Sequence, residues 1–110
     1  MPRLSLMNLT IEYFTRRGFE VKKQKDDDEL RSSKFDLIVS RHKEVHPVRV
    51  KEWNRTVGVN IVINLDQAAK SSSFSAPILV AEKFSEHAKA YASRRGLMLV
   101  TRSEIIRSLR

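Results

Sequence analysis

Helical and extended signals alternate along these 110 residues, and that alternation constrains the fold more than any single residue does. Residues 3–17 carry Leu4, Met7, Leu9, Ile11 and Phe14 at roughly helical spacing and stop on Arg16-Arg17-Gly18. Two cations in a last turn suit the negative end of the helix dipole, and glycine supplies a left-handed stop. Phe19-Glu20-Val21-Lys22 then alternates as a strand does. Residues 35–40 and 46–53 are the next extended runs, joined by Arg41-His42-Lys43-Glu44. They predict a hairpin with Pro47 as an edge or entry residue of its second strand. Residues 77–81 read as a buried strand, and Ser85 as the N-cap of a helix over 86–95 that ends Arg94-Arg95-Gly96. A strand over 97–100 and a capping box, Thr101-Arg102-Ser103-Glu104, opening a short last helix complete the chain. Segments 13–19 and 91–97 echo each other, and shared capping chemistry explains the echo without an internal repeat. Helices interleaved with strands, and no linker between them, predict one α/β domain over 1–110.

Two stretches are less regular. Residues 22–34 are charged and turn-like around Asp26-Asp27-Asp28-Glu29 and read as a solvated loop, as do Ser71-Ser72-Ser73. Over 57–70, Val59, Ile61, Ile63 and Leu65 alternate as in a strand. Val57, Ile61, Leu65 and Ala68, with Val62 and Ala69 beside them, form a helical stripe. Periodicity leaves both open, and the β-branched content leans toward strand.

Charge narrows the function. The net charge of +8 creates a field that attracts polyanions, of which nucleic acid is the commonest. An apolar share of 41% and a charged share of 31% are those of a globular protein rather than a disordered one. The absence of cysteine excludes disulfides and thiolate metal sites and fits a cytoplasmic location. No apolar run approaches the ~20 residues of a membrane span.

Within this frame one constellation carries chemistry. Asp36 lies in the run Phe35-Asp36-Leu37-Ile38-Val39, and Val48-Arg49-Val50-Lys51-Glu52-Trp53 follows on the next strand. Side chains alternate along a strand, so residues 49 and 51 share a face, and Asp36 on the partner strand can face the same cleft.

The order and spacing of several pieces together resemble the Mrr-like family of the restriction-endonuclease-like, or PD-(D/E)xK, superfamily. Gly18-Phe19-Glu20-Val21 is similar to its first strand after an opening helix, and Phe35–Val39 to its acid-bearing strand. The stretch from Val48 to Trp53, followed by Val57-Gly58, resembles its "QxKxW…VG" segment. Ile78-Leu79-Val80-Ala81, Phe84-Ser85, Ala88, Ala90, Tyr91-Ala92 and Gly96-Leu97-Met98-Leu99-Val100 resemble its tail. The resemblance implies a restriction-endonuclease-like fold, a small central mixed β-sheet flanked by α-helices, with a helix over 57–70 and often a homodimer. It also implies DNA as partner and Mg²⁺ as cofactor of an active member. On that pattern Asp36 is the metal-binding acid, Lys51 the lysine that orients the attacking water, and the Val50 carbonyl a backbone ligand. Glu12 is the candidate for an acid that some relatives contribute from the first helix.

Arg49 departs from the pattern, which has Glu, Asp or Gln there. Asp36, Arg49 and Lys51 sum to +1, and a hard divalent cation wants several anionic oxygens. A phosphate suits the planar arginine fork instead. Arg31-Ser32-Ser33-Lys34 stands where many relatives carry small glycines and a further acid, and alternation turns Glu52 to the opposite face. The leading expectation is therefore a nuclease-fold DNA-binding domain with an impaired metal site. The alternatives are an active Mg²⁺-dependent endonuclease, with Glu12 or an acid from 26–29 completing the shell, and a protein-interaction scaffold. Trp53 is a candidate for stacking on a base, and Arg16, Arg17, Arg94 and Arg95 for tracking a phosphate backbone. His42 and His46 are separated by a turn and Pro47 and lack helical metal-ligand geometry. His87 reads as a surface residue, and no phosphate-cradling glycine loop exists.

Overall fold

The computed structural model describes residues 5–23, 35–70 and 75–109. Its elements are α1 (Leu6–Arg16), β1 (Glu20–Lys23), β2 (Leu37–Arg41), β3 (Glu44–Val50), α2 (Val59–Lys70), β4 (Ile78–Ala81), α3 (Glu86–Arg95), β5 (Met98–Thr101) and α4 (Arg102–Leu109). The strands form one five-stranded sheet in sequential order. β1, β2 and β3 run antiparallel, and β3, β4 and β5 parallel. This is the mixed α/β architecture that the sequence predicts.

Local chemistry sets the element ends. Ser5 and Ser85 accept from the N–H groups of Asn8 and Ala88, at 3.0 and 3.1 Å, as N-caps of α1 and α3. The capping box of α4 closes in both directions: Glu104 N–H donates to Thr101 Oγ1, and Thr101 N–H to Glu104 Oε1. Gly18 and Gly96 follow the two Arg-Arg stops at φ of 87° and 78°, a left-handed conformation that favours glycine.

The sheet separates two apolar layers. On one face Leu6, Leu9 and Phe14 of α1 and Ile105 of α4 pack on Leu37, Val39, Val48, Ile78, Val80 and Val100. On the other, Val62 and Leu65 of α2 and Ala88 and Ala92 of α3 pack with Val57, Leu79, Ala81, Phe84 and Leu97. Residues 59–70 are helical despite their β-branched content. The helix buries Val62, Leu65, Asp66 and Ala69 on one side, a set that strand alternation would divide between two faces.

Two details differ from the sequence reading. Pro47 is fully buried within β3, an interior strand, rather than at an edge. It is tolerated because the β3–β4 ladder starts only at Val48, opposite Ile78. In the extrapolated register the carbonyl facing position 47 is that of Ala76, and it pairs with His46 Nδ1 at 2.8 Å in place of the missing N–H. β3 also stops at Val50 rather than Trp53. β2 starts only at Leu37, so beyond Val50 the strand has no antiparallel partner. The chain then crosses toward α2, anchored where Val57 bridges Phe84. Among the described residues no helix is long and apolar enough to cross a membrane.

Candidate active site

The site forms where β2 and β3 diverge. Asp36 N–H donates to the Val48 carbonyl at 2.8 Å, and one carboxylate oxygen of Asp36 accepts from Val50 N–H, also at 2.8 Å. The side chain thus continues the ladder for one step after β2 has ended. In an extended strand the N–H and C=O of one residue point the same way, so the Val50 carbonyl also faces Asp36. On its other edge β3 stays joined to β4 through Lys51 N–H and the Val80 carbonyl.

Val48 packs with the α1 layer, so Arg49 and Lys51 project to the α2 side. There they line an open cavity of about 520 Å³ with Ile61, Asn64, Leu65, Gln67 and Ala68 of α2. Burial and then the neighbouring Arg49 push the Lys51 ammonium below its ordinary pKa, while Asp36 acts against that shift. Asp36, Arg49 and Lys51 therefore form one electrostatic group, as the strand spacing predicts. Lys51 Nζ and Arg55 Cζ stand 4.6 and 4.4 Å from the centre of the Trp53 ring. The half-buried Trp53 also packs against the α2–α3 layer and so positions Lys51 at the cavity's edge.

Glu12 is not brought to this group. It stands on α1, across the sheet, and its carboxylate pairs with Arg16 at 2.9 Å. Arg16 and Arg17 lie toward the hairpin end of the sheet, away from the cavity. Arg16 donates to the Leu109 carbonyl, Arg17 lies over Tyr13, and the Arg17 carbonyl accepts from Arg41. Glu52 turns to the α1 face, where it accepts Leu6 N–H at 2.8 Å near the positive end of that helix. Glu82 pairs with Arg102 at 2.6 Å. The acids of 26–29 lie outside the described residues.

A Mg²⁺ centre wants several oxygen ligands with enough negative charge to replace its water. Asp36 and the Val50 carbonyl could supply two of them. Arg49 and Lys51 oppose the charge, and no group of three or more His, Asp or Glu comes together among the described residues.

Asn64 and Gln67 were not singled out by sequence. They are three apart on one face of α2, and neither side-chain amide has a hydrogen-bond partner among the described residues. Their signal, polar positions flanking an apolar stripe, becomes legible only once 59–70 is known to be a helix. Asp66 was missed for the same reason: it is buried between α2 and α3 and accepts from Tyr91 Oη at 2.8 Å and Arg95 Nε at 3.0 Å.

The mixed sheet, the helices on both faces and the strand-end acid and lysine define a restriction-endonuclease-like fold. The family model described as restriction endonuclease, Mrr_cat, matches residues 1–109, and the chain belongs to that family. Similar solved structures include a protein of unknown function, AF1548, with TM-score 0.71 and 19% identity over 89% of this chain and 58% of that one. A repair endonuclease from Pyrococcus abyssi aligns with TM-score 0.64 and 17% identity over 92% of this chain and 48% of that one. The EndoMS–dsDNA2 complex gives TM-score 0.60 and 14% identity over 92% of this chain and 46% of that one. The chain thus spans about half the length of these structures, and at such identities they report the fold. None of the curated proteins matches by sequence.

Proposed function

We propose that this chain is a DNA-binding domain on a nuclease fold whose site holds a backbone phosphate, with its metal centre impaired. The observation that carries this reading is the placement of Arg49 and Lys51 together on an open cavity, beside an acid whose carboxylate is engaged by Val50 N–H. The arginine fork and the lysine point charge complement phosphate oxygens. The net charge of +8 supports attraction of a polyanion, and the structural likeness to the EndoMS–dsDNA2 complex supports DNA as that polyanion. Mg²⁺ would be the cofactor of an active member, with Asp36 and the Val50 carbonyl as its protein ligands.

The test is plasmid and branched-duplex DNA incubated with Mg²⁺ or Mn²⁺, beside a binding assay across a salt series. The expected result is salt-dependent binding without metal-dependent nicking, and a gain of Mn²⁺ affinity in Arg49→Glu. Nicking that requires the metal and disappears in Asp36→Ala would establish an active endonuclease instead. No DNA binding even at low ionic strength would leave the fold as a scaffold for another purpose.

A further inference from the structure

Two cations share the ring of Trp53. Lys51 Nζ stands 4.6 Å from the ring centre and Arg55 Cζ 4.4 Å. The three residues alternate along Lys51-Glu52-Trp53-Asn54-Arg55, and the carboxylate of the intervening Glu52 is engaged elsewhere, by Leu6 N–H. The connection that carries them is pinned at both ends. Lys51 N–H donates to the Val80 carbonyl, while Val57 N–H donates to the Lys83 carbonyl and the Val57 carbonyl accepts from Ser85 N–H. Trp53 itself is half-buried and packs against the α2–α3 layer. The core thus holds the ring and the backbone on either side of it. Arg55 is exposed and stands outside the residues that line the cavity.

One cation gains from the negative face of a ring, but a second beside it adds repulsion between like charges. Neither Lys51 nor Arg55 forms an ion pair among the described residues. Such an arrangement suits a ligand with negative charge at two points. The two cations are no more than about 9 Å apart, a reach that covers neighbouring phosphates of one strand, which are ~3.4 Å apart along a B-form axis and further through space. Resting on the DNA-binding reading above, but not on Arg49, we infer that Lys51 and Arg55 contact successive phosphates of one DNA strand, with Trp53 as the positioning residue that sets their spacing. A guanidinium that meets a ring through its face keeps its in-plane N–H donors for an oxyanion. The ring restrains both side chains before the ligand arrives, so less rotamer freedom is lost on binding. Arg55 is therefore a DNA-contacting residue beyond the acid–lysine group, and Trp53 acts through the two cations rather than by stacking on a base.

The experiment measures the full chain's affinity for a labelled duplex by fluorescence anisotropy across a salt series. It compares the wild type with Arg55→Ala, Arg55→Lys, Trp53→Leu and Trp53→Leu/Arg55→Ala. Arg55→Ala is expected to weaken binding about 10-fold at low salt and to flatten the slope of log affinity against log salt by about 0.9, the share of one phosphate contact. Arg55→Lys keeps the slope, because the charge is retained. Trp53→Leu weakens binding about 5-fold in the wild type but only about 2-fold once Arg55 is alanine, whereas a merely structural ring would cost the same in both backgrounds. Arg55 is exposed, so its variants test the inference even where Trp53→Leu does not fold. An Arg55→Ala slope equal to that of the wild type, an Arg55→Lys slope as low as alanine's, or a Trp53→Leu effect of one size in both backgrounds would overturn the inference while leaving DNA binding intact. Absence of wild-type binding even at low salt would overturn the DNA reading itself, and this inference with it.

Discussion

Asp36 and Asp66 each lie within reach of cationic side chains, yet their surroundings use the charge in opposite ways. Asp66 is 7% exposed and its carboxylate is closed by Tyr91 and Arg95, which clasp α2 to α3. The bond to Asp66, with burial, raises the Tyr91 hydroxyl above its ordinary pKa, as expected when the neutral phenol is the donor. Asp36 takes its hydrogen bond from the backbone at Val50, and Arg49 and Lys51 line the open cavity beside it. One cluster spends its charges internally and stabilises helix packing. The other sets two cations on an open cavity, and its described acid is held by a backbone N–H. A net charge of +8 alone would not distinguish the two; geometry does.

The largest expected effect falls on the open cluster. Removing both cations, Arg49→Ala with Lys51→Ala, should weaken DNA binding by about 100-fold at low salt. It should also flatten the slope of log affinity against log salt by about 0.9, since the two cations share one phosphate and each phosphate contact contributes ~0.9. An unchanged slope would mean that neither cation meets a phosphate.

Asp66→Ala tests the closed cluster and should lower stability by about 2 kcal/mol, through loss of two hydrogen bonds to a buried carboxylate. Arg95 is 40% exposed, so the ion-pair part is discounted for solvent screening. Urea denaturation reads this directly, and the melting temperature should fall by roughly 10 °C.

A smaller shift separates the two acids. Asp36→Asn keeps an acceptor for Val50 N–H and removes a charge. It should change stability by less than about 0.5 kcal/mol while tightening DNA binding by about 3-fold, the sign expected where the acid only offsets cations. Weaker binding would show that Asp36 helps hold the ligand, through a metal for example.

The smallest effect is a proton. The Lys51 pKa lies below its ordinary 10.5 because of burial and Arg49, so the free protein has lost part of that proton at alkaline pH. A bound phosphate favours the charged ammonium and raises the pKa again. Binding should therefore take up a fraction of a proton between the lowered value and 10.5, measurable by calorimetry in buffers of different ionisation enthalpy. Lys51→Arg should abolish the uptake, because arginine stays charged throughout.

Much of this was legible in the chain. Ser85, Gly96 and the Thr101–Glu104 box act through bonds within a few residues, so their sequence signals carry over directly into the structure. The grouping of Asp36 with Arg49 and Lys51 follows from strand alternation and a short hairpin, both nearly local. Residues 59–70 were not legible by periodicity. Two patterns compete there, and the family resemblance rather than the residues pointed to the helix. Pro47 in an interior strand depends on where β4 begins, thirty residues away, and on a carbonyl at Ala76 that His46 can satisfy. Glu12 shares a helix with core residues, and only the packing of that helix shows which face of the sheet it serves.

The amino-acid sequence by itself determined the caps, the strand alternation, the family and the cationic character of the Asp36, Arg49 and Lys51 trio. These depend on backbone chemistry and side-chain spacing over a few residues. The tertiary structure decided that 59–70 is a helix, that this helix lines the cavity, and that Asn64 and Gln67 share that lining with Arg49 and Lys51. Those outcomes depend on which apolar surface a segment can bury against distant strands. Burial against a distant partner is a property of the assembled sheet, and no local pattern encodes it.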